Sequence, residues 1–415
     1  MLKDRLITNF LPPSTSTRLV VLTGARQTGK TTLAKIKYPE LRYVNLDAPE
    51  NREIFRKIST PSWAATVGNS IIDEAQKEPV VFEKIKYAFD EKGISFTLIL
   101  GSSQILLLKR VRESLAGRVT LFELWPLLMS EVLSESGRIK AEPPLLDRLL
   151  TEKSLDDVLK AAPPALLDKD DDRLRTAEDY LLRWGGMPAL LSLLDEERWK
   201  WLKDYQFTYL ERDLSDLARL DDLEPFSKFQ RLAALRSGQL LNYSDLSRDA
   251  AVSVDTARRY LEYLKLSYQV VLLPPYFRNI TSTVVKTPKL YWTDVGLMRQ
   301  LSGRREEVGG GIYETLVVSE IWKWLKTVQR NIDIFFYRTR SGLEIDLLLS
   351  HGDNLIGIEI KSRKTIVPSD IRAMKEVAAV LKSQWLGGIV VYQGDEIRKI
   401  SDPLIWAVPS RRLFS

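Results

Sequence analysis

The fold is decided by Gly24-Ala25-Arg26-Gln27-Thr28-Gly29-Lys30-Thr31, a glycine-bounded loop that follows the apolar run Arg18-Leu19-Val20-Val21-Leu22. The residues from Lys30 to Lys35 then have the composition of a helix start. A strand, a glycine-rich loop and a helix in this order let successive backbone N–H groups and a helix N-terminus surround a phosphate group. The stretch therefore predicts a nucleotide-binding α/β domain.

The side chains of this loop suit a nucleoside triphosphate with its Mg²⁺. We expect Lys30 to contact the β- and γ-phosphates, the Thr31 hydroxyl to reach Mg²⁺, and Thr32 to lie near the α-phosphate. The predicted nucleotide-binding residues of the segment are Gly24, Arg26, Gln27, Thr28, Gly29, Lys30, Thr31 and Thr32.

Two later strands carry residues that would complete this site. The buried-strand pattern Ser70-Ile71-Ile72 ends in Asp73 and Glu74, where Asp73 would hold Mg²⁺ and Glu74 would polarise the attacking water. The strand Phe96–Leu100 leads into Gly101-Ser102-Ser103-Gln104, and Ser103 is the leading candidate for a sensor of the γ-phosphate. The paired acids and the small hydroxyl side chains predict ATP hydrolysis rather than simple nucleotide binding.

An arginine follows the next predicted helix, in Ser114-Leu115-Ala116-Gly117-Arg118. An arginine at such a place can reach a γ-phosphate across a subunit interface as an arginine finger. The spacing alone fits an ordinary surface arginine equally well.

The order of these motifs resembles the AAA+ superfamily, and specifically the archaeal and bacterial AAA-type ATPases that carry a C-terminal domain of long-undefined function. The motifs are Gly24–Thr32, Ile71–Gln76, Gly101–Gln104, Ala116–Arg118 and Leu124-Trp125-Pro126-Leu127. The resemblance covers most of the chain, and it implies that Arg118 is the finger and that ATP drives assembly or switching, so that an ATP-dependent homo-oligomer is expected. Arg183-Trp184-Gly185-Gly186-Met187-Pro188 resembles the lid element that contacts nucleotide in some of these ATPases, although a helix-breaking turn explains it equally well.

Composition excludes several classes of site. The 415 residues include no cysteine and one histidine, His351, which excludes disulfides, thiolate metal sites, histidine-rich zinc centres and a Ser-His-Asp triad away from that position. The first residues, Met1-Leu2-Lys3-Asp4-Arg5, lack the apolar core of a secretory signal, and no apolar run is long enough to cross a bilayer. We expect a cytoplasmic protein without membrane contact, whose catalysis depends on carboxylates, lysine and bound metal.

Positive charge is concentrated in residues 226–305, which hold 13 Lys and Arg against five Asp and Glu. Three helical patterns lie there, Phe226–Arg236, Tyr243–Ala250 and Val254–Leu266, and the break before the third resembles a helix-turn-helix. On the third helix we expect Val254 to face inward and Tyr260 outward. The predicted DNA contacts, made mainly to phosphates, are Arg258, Arg259, Arg278 and Lys286. A module that packs against protein is the alternative interpretation.

Acidic residues recur at strand spacing near the C-terminus. Asp346 lies within one predicted strand, and Glu359 and Lys361 share one face of the next. A hairpin of these strands would let Asp346 and Glu359 hold Mg²⁺ or Mn²⁺ while Lys361 orients a water for attack on a phosphodiester. The pattern resembles the PD-(D/E)XK nuclease core, in which Glu314 would match the helix glutamate, although Ile345 stands where that family has proline. A strand salt bridge, or a nuclease fold that binds DNA without cutting it, is the alternative.

The sequence therefore predicts an α/β multidomain protein. Its predicted domains are a P-loop AAA+ ATPase core (residues 1–135), an insertion and helical lid (136–225), a winged-helix-like module (226–305) and a PD-(D/E)XK nuclease-like α/β module (306–415). The expected function is ATP hydrolysis coupled to remodelling or cutting of DNA, such as branched or broken DNA in repair or recombination. The alternative is an ATP-dependent regulatory switch whose C-terminal module binds a partner without cleaving it.

Overall fold

The structure is a computed structural model. It describes residues 2–101, 107, 110–111, 113–135, 139–152, 154–163, 170–210, 223–276, 286–305 and 309–415. Within these residues, no helix is both long and apolar enough to cross a membrane.

The N-terminal part is built on a parallel sheet of five strands in the order β2-β3-β4-β1-β5. The strands are β1 (Arg18–Thr23), β2 (Arg42–Asn45), β3 (Ser70–Asp73), β4 (Phe96–Gly101) and β5 (Val119–Glu123). Helices α1 (Lys30–Lys37), α2 (Pro49–Lys57), α3 (Trp63–Thr66) and α4 (Val80–Asp90) accompany them. The apolar residues of β1, β3 and β4 are buried, as expected for a parallel sheet covered on both faces. Because parallel strands end at one edge, the residues after β1 and β3 lie together.

A helical region follows, with α5 (Met129–Leu133), α6 (Leu145–Thr151), α7 (Leu155–Lys160), α8 (Asp171–Trp184) and α9 (Asp195–Tyr205). A 3₁₀ helix at Pro188–Ser192 and a π-helix at Gln206–Leu210 flank α9. The glycines between α8 and the 3₁₀ helix allow close backbone contact, because a Cβ on Gly186 would lie 2.4 Å from the Leu127 carbonyl oxygen. Leu127 N–H donates to the Gly186 carbonyl at 2.7 Å, which fixes this turn beside the end of β5.

The next region contains α10 (Glu224–Leu235), α11 (Tyr243–Ala250), α12 (Val254–Leu266) and α13 (Val295–Ser302). A small antiparallel sheet accompanies them, made of β6 (Gln239–Leu240), β7 (Val270–Leu273) and β8 (Lys289–Trp292). The expected orientation of α12 is wrong at two positions. Val254 is exposed, whereas Tyr260 is buried and packs edge-on against Phe226 and Phe229 of α10. An aromatic ring gains more from burial than a valine at a helix end.

The C-terminal part begins with the long helix α14 (Gly310–Val328) and continues into a mixed sheet of six strands in the order β13-β14-β12-β11-β10-β9. The strands are β9 (Asp333–Arg338), β10 (Glu344–His351), β11 (Asn354–Lys361), β12 (Trp385–Tyr392), β13 (Arg398–Ser401) and β14 (Ile405–Pro409). Helix α15 (Arg372–Leu381) precedes β12, and the short α16 (Ser410–Leu413) ends the chain. Strands β10 and β11 form an antiparallel hairpin with Leu347 opposite Ile358. This register places Asp346 beside Glu359.

One hydrophobic core joins several of these regions. It contains Leu181 of α8, Phe229 of α10, Leu261 of α12, Val317 of α14 and Ile358 of β11. Side chains from residues on both sides of the predicted boundaries at 225 and 305 therefore pack together. The division into four domains stays a prediction.

Candidate functional site

The glycine-bounded loop between β1 and α1 forms the floor of a cavity of about 800 Å³. Gly24 has φ of +152°, and a Cβ there would lie 2.1 Å from the Leu124 carbonyl oxygen, so only glycine fits beside β5. Gly29 is left-handed with φ of +96° and caps helix α1. The predicted residues that line the cavity are Arg26, Gln27, Thr28, Gly29, Lys30, Thr31, Thr32, Asp73 and Glu74.

The polar groups in this cavity are positioned by short contacts. Lys30 is buried, and its ammonium group donates to the carbonyl oxygens of Gly24 and Ala25 at 2.9 and 2.8 Å. The Thr31 hydroxyl donates to Asp73 Oδ2 at 2.6 Å, which joins the start of α1 to the end of β3. Tyr43 also donates to Asp73 Oδ2, at 2.8 Å, and burial together with the Asp73 charge raises the pKa of Tyr43. A hydroxyl and a carboxylate thus lie side by side where Mg²⁺ was expected.

Glu74 follows β3 in a left-handed conformation with φ of +53°, and its Oε2 accepts from the Gln76 side-chain amide at 2.5 Å. This backbone conformation is uncommon outside glycine and often marks a functional position. Ser103, the predicted sensor, lies outside the described residues.

Sequence analysis did not find several residues that line the same cavity. Lys3 and Arg5 come from the segment before β1, and Lys140 and Ala189 come from the helical region. Arg5 donates to the carbonyl oxygens of Thr28 and Trp125 at 2.8 and 2.6 Å and so ties this segment to the loop. No local pattern distinguishes these residues in the sequence.

The two predicted arginines outside the loop lie away from the lining of this cavity. Arg118 donates to both carboxylate oxygens of Asp90 at 2.7 and 3.0 Å, and this contact lowers the pKa of Asp90. Arg183 is exposed near Asp195, whereas Pro188, at the end of the same glycine-containing element, lines the cavity. Of the residues in this glycine-containing element, Pro188 therefore lines the cavity and Arg183 does not.

A second cavity, of about 540 Å³, lies between the three-stranded sheet and the C-terminal sheet. The four acidic and basic residues predicted for the C-terminal site line this one cavity, and they come from three elements: Glu314 of α14, Asp346 of β10, and Glu359 and Lys361 of β11. The backbone N–H of Ile360 donates to Asp346 Oδ2 at 2.8 Å, and Lys361 pairs with Glu359 Oε1 at 2.6 Å. The strand salt bridge considered from the sequence is therefore present, within the larger acidic arrangement.

Electrostatics in this second cavity are dominated by buried carboxyl groups. Burial, with the charges of Glu359 and Glu314, raises the pKa of Asp346 well above its ordinary value. Burial also raises the pKa of Glu359, against the effect of Lys361. The Glu359 Oε2 atom is buried and has no hydrogen-bond partner among the residues that the structure describes. Such an oxygen is free to accept a bound cation.

Sequence analysis missed two residues of β8 that contact the acidic groups of this cavity. Lys289 of β8 extends into it and lies 2.5 Å from Glu344 Oε1, and Tyr291 donates to Glu314 Oε1 at 2.6 Å. Arg338 pairs with Glu344 at 3.1 Å. Across the described ranges, no group of three or more His, Cys, Asp or Glu side chains is arranged so that it could hold a metal ion.

The predicted DNA contacts are partly described. Arg258 and Arg259 are exposed on α12, where Arg258 packs over the Tyr243 ring at 5.3 Å, and Lys286 is exposed just before β8. Arg278 lies outside the described residues. Neither α12 arginine is among the residues that line the acidic cavity.

Comparison with known families assigns the first part of the chain. Residues 16–133 match the family described as AAA domain. This part is similar to AAA-type ATPase domains. The match includes the glycine-bounded loop, Asp73, Glu74 and Arg118, so the AAA domain contains the predicted catalytic apparatus for ATP hydrolysis. Residues 175–308 match the domain of unknown function DUF8612, and residues 309–413 match the domain of unknown function DUF4143.

Relatives over nearly the whole chain carry no assigned function. An uncharacterized protein of Mycobacterium tuberculosis is 29% identical over 407 residues, which cover 96% of this chain and 81% of the relative. An uncharacterized protein of Methanocaldococcus jannaschii is 22% identical, covering 92% of this chain and 84% of the relative.

Two solved structures are similar to this chain at low sequence identity. The Walker-type ATPase of Pyrococcus abyssi is 16% identical with a TM-score of 0.37, covering 72% of this chain and 99% of that protein. A signal transduction ATPase with numerous domains from Pyrococcus horikoshii is 14% identical with a TM-score of 0.24, covering 78% of this chain and 45% of that protein. These scores are too low to support a functional argument.

Proposed function

We propose that this protein couples ATP hydrolysis in its AAA domain to the processing of DNA, and that its C-terminal cavity cleaves phosphodiester bonds with a divalent metal. The observation that carries the second part is the convergence of Glu314, Asp346, Glu359 and Lys361 on one cavity. In the sequence, the strand spacing of Asp346, Glu359 and Lys361 and the resemblance of Glu314 to the helix glutamate of the PD-(D/E)XK core indicate the same site. The presence of the helix glutamate in the same cavity as the strand residues supports a shared role.

In the AAA domain, each polar group has a role that its position supports. Thr31 and Asp73 would share Mg²⁺, which would neutralise charge on the phosphates. Lys30 contacts two neutral carbonyl oxygens, and a triphosphate is a stronger partner for an ammonium group than these are. Glu74 would orient the water for in-line attack on the γ-phosphate.

In the C-terminal cavity, the donor set fits a hard divalent cation, because carboxylate oxygens are the ligands that Mg²⁺ and Mn²⁺ prefer. Asp346 and Glu359 would hold the ion, and Glu359 has an unpartnered buried oxygen to offer. Bound metal would supply a water of lowered pKa and charge neutralisation at the phosphate. Lys361 would orient a water for attack on the phosphodiester.

Contacts between the AAA domain and the rest of the chain support a coupling between the two cavities. Tyr268 lies just before β7, and its hydroxyl donates to the Thr23 hydroxyl at 3.2 Å. Thr23 is the residue before Gly24 of the nucleotide loop. Tyr205 donates to the Arg26 carbonyl at 3.1 Å. Strand β7 pairs with β8, and Lys289 of β8 reaches the acidic cavity. A change in the nucleotide loop would therefore reach β8, which lines the acidic cavity, through Tyr268 and the adjoining strand β7.

The experiment is cleavage of labelled single-stranded, duplex and branched DNA in Mg²⁺ or Mn²⁺, with and without ATP. We expect Asp346→Asn to lower cleavage by about 100-fold or more, since it removes a charged metal ligand. Asp333→Asn is the matched control, because Asp333 is exposed at the start of the neighbouring strand β9. Cleavage by wild type that survives Asp346→Asn would rule out this cavity as the nuclease site, and Lys30→Ala reports whether ATP controls cleavage.

A second function, an ATP-dependent switch that docks a partner without cutting it, is favoured by one observation. The described acidic residues do not form a ready three-carboxylate metal site. This function predicts ATP-dependent assembly with no cleavage of any of the three DNA forms in either metal.

A further inference from the structure

The acidic cavity contains a cation that belongs to the protein itself. Lys289 is 3% exposed, and its ammonium group lies 2.5 Å from Glu344 Oε1, 3.4 Å from Glu314 Oε1 and 3.9 Å from Asp346 Oδ1. Burial opposes the charged form, but the three carboxylates more than compensate and raise the pKa of Lys289 above its ordinary value. The three carboxylates within 4 Å are the partners that a charged ammonium group requires.

This ammonium group competes for Asp346, one of the two carboxylates proposed to hold the metal, and for the neighbouring Glu314. Glu314 and Asp346 both lie within 4 Å of it, and Glu314 also accepts from Tyr291. A metal ion and an ammonium group cannot share these oxygens at close range, because the two positive charges repel each other. The position of Lys289 also gives a physical reason why no three acids are arranged around a metal position within the described part of the chain.

A second feature of the cavity, independent of Lys289, suits an additional bound cation. Glu359 lines the cavity and is 8% exposed; its Oε1 accepts from Lys361, whereas its Oε2 is buried and without a hydrogen-bond partner among the described residues. A buried carboxylate oxygen without a partner is costly. A metal bound there would satisfy it, and such a metal would draw on Asp346 at the expense of Lys289.

We propose that Lys289 is an internal competitor of the catalytic metal: while β8 holds its ammonium group against Glu314, Glu344 and Asp346, the cavity has low affinity for divalent cations, and withdrawal of the side chain opens the site. This inference rests on the proposed metal-dependent function. It adds that metal occupancy is regulated by a residue from a different sheet. Lys289 is supplied by the segment that matches DUF8612, whereas the carboxylates are supplied by the segment that matches DUF4143.

The test is direct measurement of Mn²⁺ binding to the full chain without nucleotide, by electron paramagnetic resonance of the free ion. Four proteins are compared: wild type, Lys289→Met, Lys289→Arg and the double variant with Lys289→Met and Asp346→Asn. We expect Lys289→Met to bind one Mn²⁺ per chain at least about tenfold more tightly than wild type. Lys289→Arg, which keeps the charge, should bind like wild type, and the double variant should lose the added affinity.

Equal affinity of Lys289→Met and wild type, or an added affinity that persists in the double variant, would overturn the inference. Circular dichroism of each variant reports folding. If Lys289→Met does not fold, Lys289→Gln replaces it, since an amide retains hydrogen bonding to the carboxylates without the charge.

DNA cleavage by the same proteins separates the two proposals. Tight, Asp346-dependent Mn²⁺ binding by Lys289→Met without cleavage would support competition by Lys289 and contradict the nuclease function. Asp346-dependent cleavage by wild type together with unchanged Mn²⁺ affinity in Lys289→Met would support the nuclease and contradict the competition.

Discussion

The two cavities of this protein are constructed in opposite ways. The largest group of polar side chains in the nucleotide cavity comes from one continuous stretch, Arg26 to Thr32, with others from Asp73 and Glu74 after β3 and from the segment before β1 that includes Lys3 and Arg5. The acidic cavity draws its charged groups from Lys289 of β8, Glu314 of α14 and the hairpin of β10 and β11. A site made by one loop depends on local backbone geometry, whereas a site made by several elements depends on how those elements pack.

Each cavity also holds a buried lysine, and the partners of the two lysines differ. Lys30 donates to neutral carbonyl oxygens of its own loop, so a charged phosphate can displace them. Lys289 lies among charged carboxylates from other elements, so its displacement requires a competing cation or a movement of β8. Lys30 is therefore positioned to bind an anionic ligand, whereas we propose that Lys289 excludes a cation.

The largest expected effect tests whether the nucleotide cavity is complete within one chain. We expect Arg118→Ala to lower ATP hydrolysis by about 1000-fold, because an arginine finger contributes at least that factor in related chemistry. Arg118 is held by Asp90 outside the cavity lining of its own chain, so the nucleotide would have to lie on a neighbouring copy. Phosphate release as a function of chain concentration is the measurement.

A mixture of Arg118→Ala with Lys30→Ala should regain activity, because each chain supplies what the other lacks. Arg110→Ala, which removes an exposed arginine paired with Glu113, is the control. A wild-type rate for Arg118→Ala, or a mixture no more active than its components, would show that one chain is sufficient.

The second prediction concerns the independence of the two cavities. Lys30→Ala should lower ATP hydrolysis by about 100-fold to 1000-fold, the loss typical when one preorganised electrostatic contact to a transition state is removed. Without nucleotide, the same variant should leave Mn²⁺ binding at the acidic cavity unchanged. Lys37→Ala, at the end of the same helix, is the control for phosphate release. A change in Mn²⁺ affinity in Lys30→Ala would show that the cavities are linked even without ATP.

The third prediction distinguishes two glycines of the loop. Gly24→Ala should lower the free energy of unfolding by about 3 kcal/mol or more, because its Cβ would collide with the Leu124 carbonyl and its backbone conformation disfavours alanine. Gly29→Ala should cost only about 1 kcal/mol, since its Cβ meets no atom within 4 Å and the strain in φ remains. Denaturant unfolding followed by tryptophan fluorescence measures both. Equal losses of the free energy of unfolding in the two variants would show that the close approach of Gly24 to the Leu124 carbonyl does not constrain the loop.

The smallest expected effect is a pH dependence of stability at the acidic cavity. The raised pKa of Asp346 means that the folded state binds more protons than the unfolded state. Its contribution to the free energy of unfolding is therefore fully present below the ordinary carboxyl pKa near ~4 and falls as pH rises through the folded pKa. Asp346→Asn removes this decline. Between acidic and neutral pH, the free energy of unfolding of the variant should therefore rise by about 1 kcal/mol or more relative to that of wild type.

Denaturant unfolding of both proteins at several pH values checks this fourth prediction, with Asp333→Asn as the control. The free energy of unfolding of Asp346→Asn minus that of wild type should rise with pH. A difference that stays constant or falls as pH rises would contradict the raised pKa.

Several parts of the structure follow from particular residues in the sequence. The alternation of Glu359 and Lys361, with Asp346 on the preceding strand, was enough to predict a shared site because β-strand geometry has a fixed period of two. The orientation of α12 was wrong at Val254 and Tyr260, because the helical period fixes which residues share a face but not which face meets α10. Strands β13 and β14 were not predicted, since short strands at a chain end carry a weak pattern.

By itself, the sequence determined the nucleotide loop, the acids at the end of β3 and the acidic pair of β10 and β11. These depend on neighbours in the chain, and short-range backbone geometry makes their arrangement nearly independent of the rest. Tertiary structure alone decided that Arg5 supports the nucleotide loop and that Lys289 enters the acidic cavity. Lys289 lies 25 residues before Glu314 and 57 before Asp346 in the sequence, and no local period connects them. Only the packing of the three-stranded sheet against the C-terminal sheet brings that ammonium group to those carboxylates.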